Sequence, residues 1–349
     1  MQYRQLGNTS LKIPPIIFGT SALGNLFSEL PESTKHQIVS ECITNLDGPA
    51  LFDSAGKYGA GLALEVLGEH LEALEVQPQD VIISNKLGWF RKPLTTVEPT
   101  FEPGAWIGLK NDAEQRISYD GIMECWEQGN KLLGGKYHPS MVSVHDPDEF
   151  LAAAQDGLEW TQRFGQIIEA YRALADLKKE GKVKAIGVGA KNWKIIRALA
   201  PEVDLDWVMF ANSMTILNHP ADLLKFMAEL HEAKIGIINS AVFHAGFLTG
   251  GRYFDYVPIE PDTAVNRAIF EWRNSFNSLC EKFGVLPAQA CVSFAMTPPG
   301  VISIALNTSD PKRVKENIEA VTTNVPREFW KEMVSTKLIN ANYPYLQLL

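Results

Sequence analysis

One unit recurs along the whole chain: a short apolar run, a polar or glycine-rich joint, then an amphipathic helical stretch. Eight such runs can be counted: IPPIIFG, ALFD, VIISNK, MVSVH, VKAIGVG, WVMFAN, IGIINSA and GVISIAL. A continuous apolar run of this kind suits a strand covered on both faces, as in a parallel sheet. The stretches between the runs carry helical periodicity. Leu64, Leu67, Leu71 and Leu74 fall on one face in the second unit, and Ile167, Tyr171, Leu174 and Leu177 form a stripe in the fourth. That second stripe ends at Lys178-Lys179-Glu180-Gly181, with cations in the last turn and a glycine for a left-handed cap. Eight alternating units predict an α/β fold, a closed (β/α)8 TIM barrel, as a single domain over residues 1–349. An open doubly wound sheet is the competing architecture. The lack of a G-x-G-x-x-G after the first run weighs against it.

Two stretches break the rhythm. Residues 3–11, with Gly7-Asn8 in the middle, read as a small hairpin that plugs the barrel bottom. Residues 87–139 form a long connection after the third run, rich in aromatics and proline, with a helical piece around Met123 to Leu133. A loop this long inside a domain is usually a lid or binding loop, and after a barrel strand it would hang over the C-terminal mouth.

Composition narrows the partners. The net charge is −9 with no basic run, which disfavours nucleic acid and anionic membranes. No apolar stretch reaches the roughly 18 residues of a membrane span. The opening MQYRQLGNTSLKI lacks the apolar core of a secretory signal. Cys42, Cys125, Cys280 and Cys291 are scattered, with no close pair and no histidine at metal spacing, so they read as reduced thiols packed as small hydrophobes. The expected address is the cytoplasm, the expected partner a small molecule, and no metal is expected.

Four polar residues stand at or just past the ends of three successive runs: Asp53, Tyr58, Lys86 and His145. Singly, each has a bland reading: a helix-capping carboxylate, a turn aromatic, a solvated strand end, a satisfied loop histidine. In order on successive strand ends they read as a catalytic set. A phenol has a free pKa of about 10 and is a poor acid–base group near neutrality unless its phenolate is stabilised. Lys86 is expected to lower that pKa, Asp53 to hold the lysine, and His145 to donate a hydrogen bond to a carbonyl or hydroxyl oxygen. Such a device moves a proton at oxygen while hydride moves at carbon, which implies a nicotinamide carrier.

These residues carry a resemblance. FDSAGKYGAGLALEVLG resembles the D-x-x-x-x-Y-G signature of the aldo-keto reductase superfamily, and Lys86 and His145 match the other two members of its tetrad. YRQLGNTSLKIPPIIFGTSALG resembles the same family's bottom hairpin and first strand, and NTSDPKRVKENIEA its dinucleotide-binding segment after strand eight. Within the superfamily the chain looks most like the sugar-oxidising branch, the L-fucose and D-threo-aldose 1-dehydrogenases. GVGAKNW at 187–193 and AVFHAGFLTGG at 241–251 carry that likeness, with departures at Lys191 and His244 where the branch usually has asparagine.

The resemblance implies a cofactor track through Gly19, Thr20, Asp53, Asn212 and Ser240. It continues through Asn307, Thr308, Ser309, Arg313, Glu316 and Asn317, with Ser213 beside Asn212 as a further contact. Asp310-Pro311 reads independently as an N-cap and first-turn pair, so free amides are expected over residues 308–312, a setting that favours anionic groups. Many NADP-preferring members carry lysine where this chain has Asn307. The cofactor reading is therefore NAD or NADP, leaning to NAD. Trp89, Phe90 and Trp106 are candidate substrate walls, with Trp193 a further aromatic near the mouth, and His145, Lys191 and His244 complete the substrate set. The leading reading is oxidation of C1 of a free aldose to a lactone. The alternatives are an NADPH-dependent carbonyl reductase of the same mechanism and a non-catalytic dinucleotide-binding regulator, which steady turnover would remove.

Overall fold

The computed structural model describes residues 1–349. Eight parallel strands close into a barrel, each at one of the expected runs: β1 (Ile16–Gly19), β2 (Ala50–Ala55), β3 (Val81–Leu87), β4 (Met141–His145), β5 (Ala185–Ala190), β6 (Trp207–Ala211), β7 (Gly236–Ser240) and β8 (Val301–Leu306). Each strand pairs with its sequence neighbours, and β8 closes onto β1 through Ile304↔Ile16. The register brings the polar strand-end residues to one level. Gly19 lies opposite Asp53, Ala55 opposite Lys86, and His145 opposite Gly189.

The core has two compartments. The larger lies between barrel and helices. Helix Leu62–Ala73 sends Leu64, Leu67 and Leu71 into it, and helix Gly157–Lys179 sends Ile167, Tyr171, Leu174 and Leu177. The second helix is started by Asp156, whose side chain accepts from Glu159 N, and it is followed by Gly181 at φ +73°. The smaller compartment is the barrel interior, where Ile17, Leu51, Ile82, Met141, Trp207 and Ile238 pack together with Leu6 and Leu11. Those last two come from the N-terminal hairpin, Arg4–Gln5 paired with Lys12–Ile13, which plugs the bottom as the sequence indicates. Trp207 fills so much of the interior that a Cβ on Gly187 would lie 2.4 Å from its ring. Only glycine fits that neighbouring strand.

The connection after β3 is more ordered than its composition indicates. Trp89–Pro93 and Asn111–Gln115 form an antiparallel hairpin, and the third barrel helix runs Tyr119–Leu132, starting earlier than the 123–133 expectation. Ser118 sets that start by accepting from Gly121 N, and Ile122, Cys125 and Trp126 turn inward. The irregular tip is therefore only 94–110. A second hairpin, Tyr253–Phe254 with Val257–Pro258, stands after β7. Its two turn residues, Asp255 and Tyr256, have φ of 48° and 73°. Left-handed backbone at both centres is what a tight two-residue hairpin needs. Without the usual Asn-Gly pair, the sequence gives no signal for it.

Candidate active site

The strand ends open into a mouth cavity of about 810 Å³. At its floor, Lys86 donates to Asp53 and also to the Tyr58 hydroxyl, 3.1 Å away. An ammonium has no acceptor, so the phenol oxygen must receive that bond, and the tyrosine's own proton is left free for the cavity. His145 stands edge-on to Tyr58, ring centres 5.6 Å apart, with Nδ1 unpartnered and Nε2 3.6 Å from Asp146. Burial, then the charges of Lys86 and Lys57, hold His145 well below the usual histidine range. It is a neutral imidazole, able to donate one hydrogen bond to a substrate oxygen.

The phenol differs from expectation. Burial first, then the charges of Asp53 and Asp146, push Tyr58 well above its ordinary value, with Lys57 opposing. Lys86 is held by Asp53, whose own charge opposes ionisation of the phenol. The lysine orients the hydroxyl more than it acidifies it. Tyr58 thus stands ready as a proton donor.

The residue just before Tyr58 is one that the sequence reading missed. Lys57 is buried, and its Nζ lies 2.7 Å from Asp146, 2.8 Å from Glu149 and 2.9 Å from Glu102, with the Trp89 ring 4.8 Å away. Burial works against its charge, but Asp146, Glu102 and Glu149 outweigh it and hold the ammonium well above its ordinary range. Lys191 joins the same group at 2.9 Å from Glu149 and 3.9 Å from Glu102, and its pKa is raised too, against burial, by Asp146 and Glu149. Glu149 is in turn held below the ordinary carboxylate range, because Lys57 and Lys191 overcome burial and Asp146. These partners are scattered over three loops, so no spacing in the sequence brings them together. Trp89 also meets the turn that carries Tyr58 through its backbone: a Cβ on Gly56 would lie 2.2 Å from the Trp89 carbonyl oxygen.

The expected site residues divide by position. Gly19, Asp53, Tyr58, Lys86, His145, Lys191, Ser240 and Trp106 face the cavity, as do Asn307, Thr308, Ser309, Arg313, Glu316 and Asn317. Thr20, Asn212, Ser213, Trp89, Phe90, Trp193 and His244 are not on its wall. Thr20 donates to the Asp53 carbonyl, and Ser213 donates to the Lys191 carbonyl. Trp89 packs with Phe101 and Trp106 in the insertion's own small core, and Phe90 lies under Arg116. His244 is buried between Thr215 and Asp255, 2.7 Å from each, and stacks on Phe254, so it braces the second hairpin. Tyr256, at that hairpin's strained tip, reaches the cavity instead, with Lys191 5.3 Å from its ring centre.

The far end of the cavity fits a dinucleotide. Arg313 opens onto it without an ion pair, and helix Lys312–Ala320 begins there. The amides of Asp310 and Lys312 are taken by Thr308 Oγ1 and Asp310 Oδ1, so the turn offers fewer free amides than expected, with Arg313 as its cavity-facing cation. Asn212 Oδ1, just past the end of β6, is buried without a donor but lies off the cavity wall.

Comparison with known proteins agrees with this geometry. Residues 15–337 match the aldo/keto reductase family. The chain is 26% identical to a pyridoxal 4-dehydrogenase of Microbacterium luteolum, over 97% of this chain and 98% of that one. It is also 26% identical to a D-threo-aldose 1-dehydrogenase of a Pseudomonas species, over 94% and 95% of the two chains. A holo-form aldo-keto reductase of Bacillus halodurans shares the fold with a TM-score of 0.69 at 18% identity, covering 98% of this chain and 97% of its own. A closed barrel with this mouth and this family match defines an NAD(P)-dependent oxidoreductase. The chain belongs to the aldo/keto reductase family. No helix is long and apolar enough to cross a membrane.

Proposed function

We propose that the protein oxidises the anomeric carbon of a free aldose, of the L-fucose or D-threo-aldose kind, to a lactone, with NAD preferred over NADP. The observation that carries it is the set at the cavity floor, the Tyr58 hydroxyl held at 3.1 Å by Lys86, beside neutral His145 and beneath Trp106, whose ring centre is 6.0 Å from that of Tyr58. A bound nicotinamide would supply the hydride acceptor, or in reverse the donor, for the substrate carbon. The residues of the chain do the rest. In the oxidative direction Tyr58, as its phenolate, takes the proton of the C1 hydroxyl as hydride leaves C1, and in the reverse direction the protonated phenol returns it. Lys86 and Asp53 fix the phenol's orientation, and His145 donates to the same oxygen and aligns it. Trp106 offers an apolar face to the sugar ring.

Two named relatives support a ring substrate. An aldose and pyridoxal share one chemical trait: the aldehyde carbon can close with the molecule's own hydroxyl into a cyclic hemiacetal. That carbon already bears both a hydroxyl and a transferable hydrogen, so oxidation needs no ring opening. The absence of lysine at position 307 supports NAD. Four free cysteines, all buried, support a reducing cytoplasmic setting.

A second reading, reduction of an aldehyde or ketone with NADPH, is favoured by one observation. The phenol is held protonated, as a proton donor for reduction must be. The deciding experiment is a panel of aldoses and simple aldehydes assayed by nicotinamide absorbance with both cofactors, with the product identified by NMR. Lactone formation supports the first reading. Inactivity on all aldoses beside efficient aldehyde reduction rejects it.

A further inference from the structure

Glu102 sits on the tip of the insertion with its backbone in the left-handed region, φ 43°. For a glutamate this is strained, and strain of this kind persists only where surrounding contacts enforce it. Here the contacts are split between its two oxygens. Oε1 pairs with Lys57 at 2.9 Å, and Oε2 accepts from Trp106 Nε1 at 2.8 Å. Its side chain remains 31% exposed, and it lines the cavity together with Trp106, Lys57 and Lys191. One carboxylate thus pins the loop to the residue preceding Tyr58 and sets the aromatic wall over the tyrosine.

The same group settles the charge of this end. Lys57 and Lys191 face three carboxylates, Glu102, Asp146 and Glu149, while Lys86 and Asp53 balance one another. Each lysine is already engaged at hydrogen-bond distance. Lys57 is held by all three carboxylates and Lys191 by Glu149, so an incoming anion has to compete with them, and the group as a whole carries one excess negative charge.

We propose that Glu102 determines substrate specificity, by anchoring Trp106 and by making the substrate end acidic, so that the site takes neutral polyhydroxylated carbonyl compounds and rejects their phosphorylated or carboxylated counterparts. This deepens the aldose reading and rests on it for the sugar. The charge argument applies equally to a small aldehyde being reduced.

Two matched pairs test it: an aldose with its terminal phosphate in the oxidative direction, and glyceraldehyde with glyceraldehyde 3-phosphate in the reductive direction. The same pairs are titrated by calorimetry on cofactor-saturated enzyme, so the ratio is read even where turnover is slow. The wild type should favour the neutral member at least about tenfold, less so as salt rises. Glu102→Gln keeps an acceptor for Trp106 but removes the charge, and should narrow that ratio about tenfold. Glu102→Ala frees Trp106 as well, and should raise KM for the neutral substrate more than it lowers kcat. Equal use of the two members by the wild type, or a ratio unchanged in Glu102→Gln, would overturn the proposal. If no aldose is oxidised, the functional reading fails while the glyceraldehyde pair still decides this one.

Discussion

Lys57→Met removes the only nitrogen that touches Asp146, Glu149 and Glu102 together, and leaves their charges facing one another. Removing one partner of a buried ion pair typically destabilises by about 3–5 kcal/mol. The lower end applies here. Asp146 is 7% exposed, but Glu102 and Glu149 are 31% and 34% exposed, and Lys191 stays beside Glu149. A loss of about 3 kcal/mol in a chain of this length, with unfolding entropy near 2.1 cal/mol/K per residue, lowers Tm by about 4 °C. The pH dependence has a definite sign. Lys57 has a raised pKa in the folded state, so its contribution is full below the unfolded lysine value of about 10.4 and is lost only as pH rises through the higher folded one. Glu149 is depressed, so its contribution is present above about pH 4.3 and lost as pH falls through its folded value. In Lys57→Met the crowded carboxylates take up protons at higher pH than in the wild type, which relieves their repulsion. The Tm gap measured by scanning fluorimetry should therefore shrink from pH 8 to pH 5. A gap under about 1 °C at pH 8, or one that does not change with pH, would refute the keystone role of Lys57.

Tyr58→Phe should lower kcat by about 10²–10⁴-fold, measured by nicotinamide absorbance, while the dinucleotide Kd changes less than about twofold, since the hydroxyl serves proton transfer. Because Tyr58 is pushed above its ordinary value, reductive turnover should hold level to about pH 9 and oxidative turnover should climb with alkalinity; the reverse ordering of the two pH profiles would contradict the site's electrostatics. His145 is held neutral, so kcat/KM should show no break near the usual histidine pKa of about 6.5, and a histidine-like inflection that disappears in His145→Gln would count against that assignment. Asn307→Lys should improve KM for NADP about tenfold relative to NAD by adding a cation beside Arg313, and an unchanged cofactor ratio would show that position 307 does not read the 2′-phosphate.

The barrel was legible because its signal is local and repeated. Each strand is one apolar run, and the stripes at Leu64-Leu67-Leu71 and Ile167-Tyr171-Leu174 are buried as their spacing implies. The convergence of Asp53, Tyr58, Lys86 and His145 was legible because barrel strands deliver their ends to one rim, so residues far apart in sequence meet without any further information. What was not legible depends on loops meeting one another. Lys57, between Gly56 and Tyr58, has no periodicity, and its carboxylate partners come from the insertion and from the segment after β4. The loop aromatics show the same limit. Trp89, Phe90 and Trp106 are chemically alike in the sequence, yet only Trp106 reaches the cavity, because the hairpin alternates its faces and the tip folds back over Trp89. Tyr256 went unread since a strained Asp-Tyr turn resembles no common hairpin signal.

Barrel enzymes are often pictured as a fixed frame with exchangeable loops. The contact between Gly56 and the Trp89 carbonyl restricts that freedom here. The insertion leaves β3 by running its main chain directly across the turn that presents the tyrosine, so neither path can be redrawn without the other. A transplanted loop that shifted this crossing by one ångström would carry the hydroxyl with it, and displacements of that size slow catalysis on the order of a hundredfold. Within the insertion, the freedom to change the cavity wall thus lies in residues 94–110, beyond the crossing, where Glu102 and Trp106 stand above a chain route that stays the same.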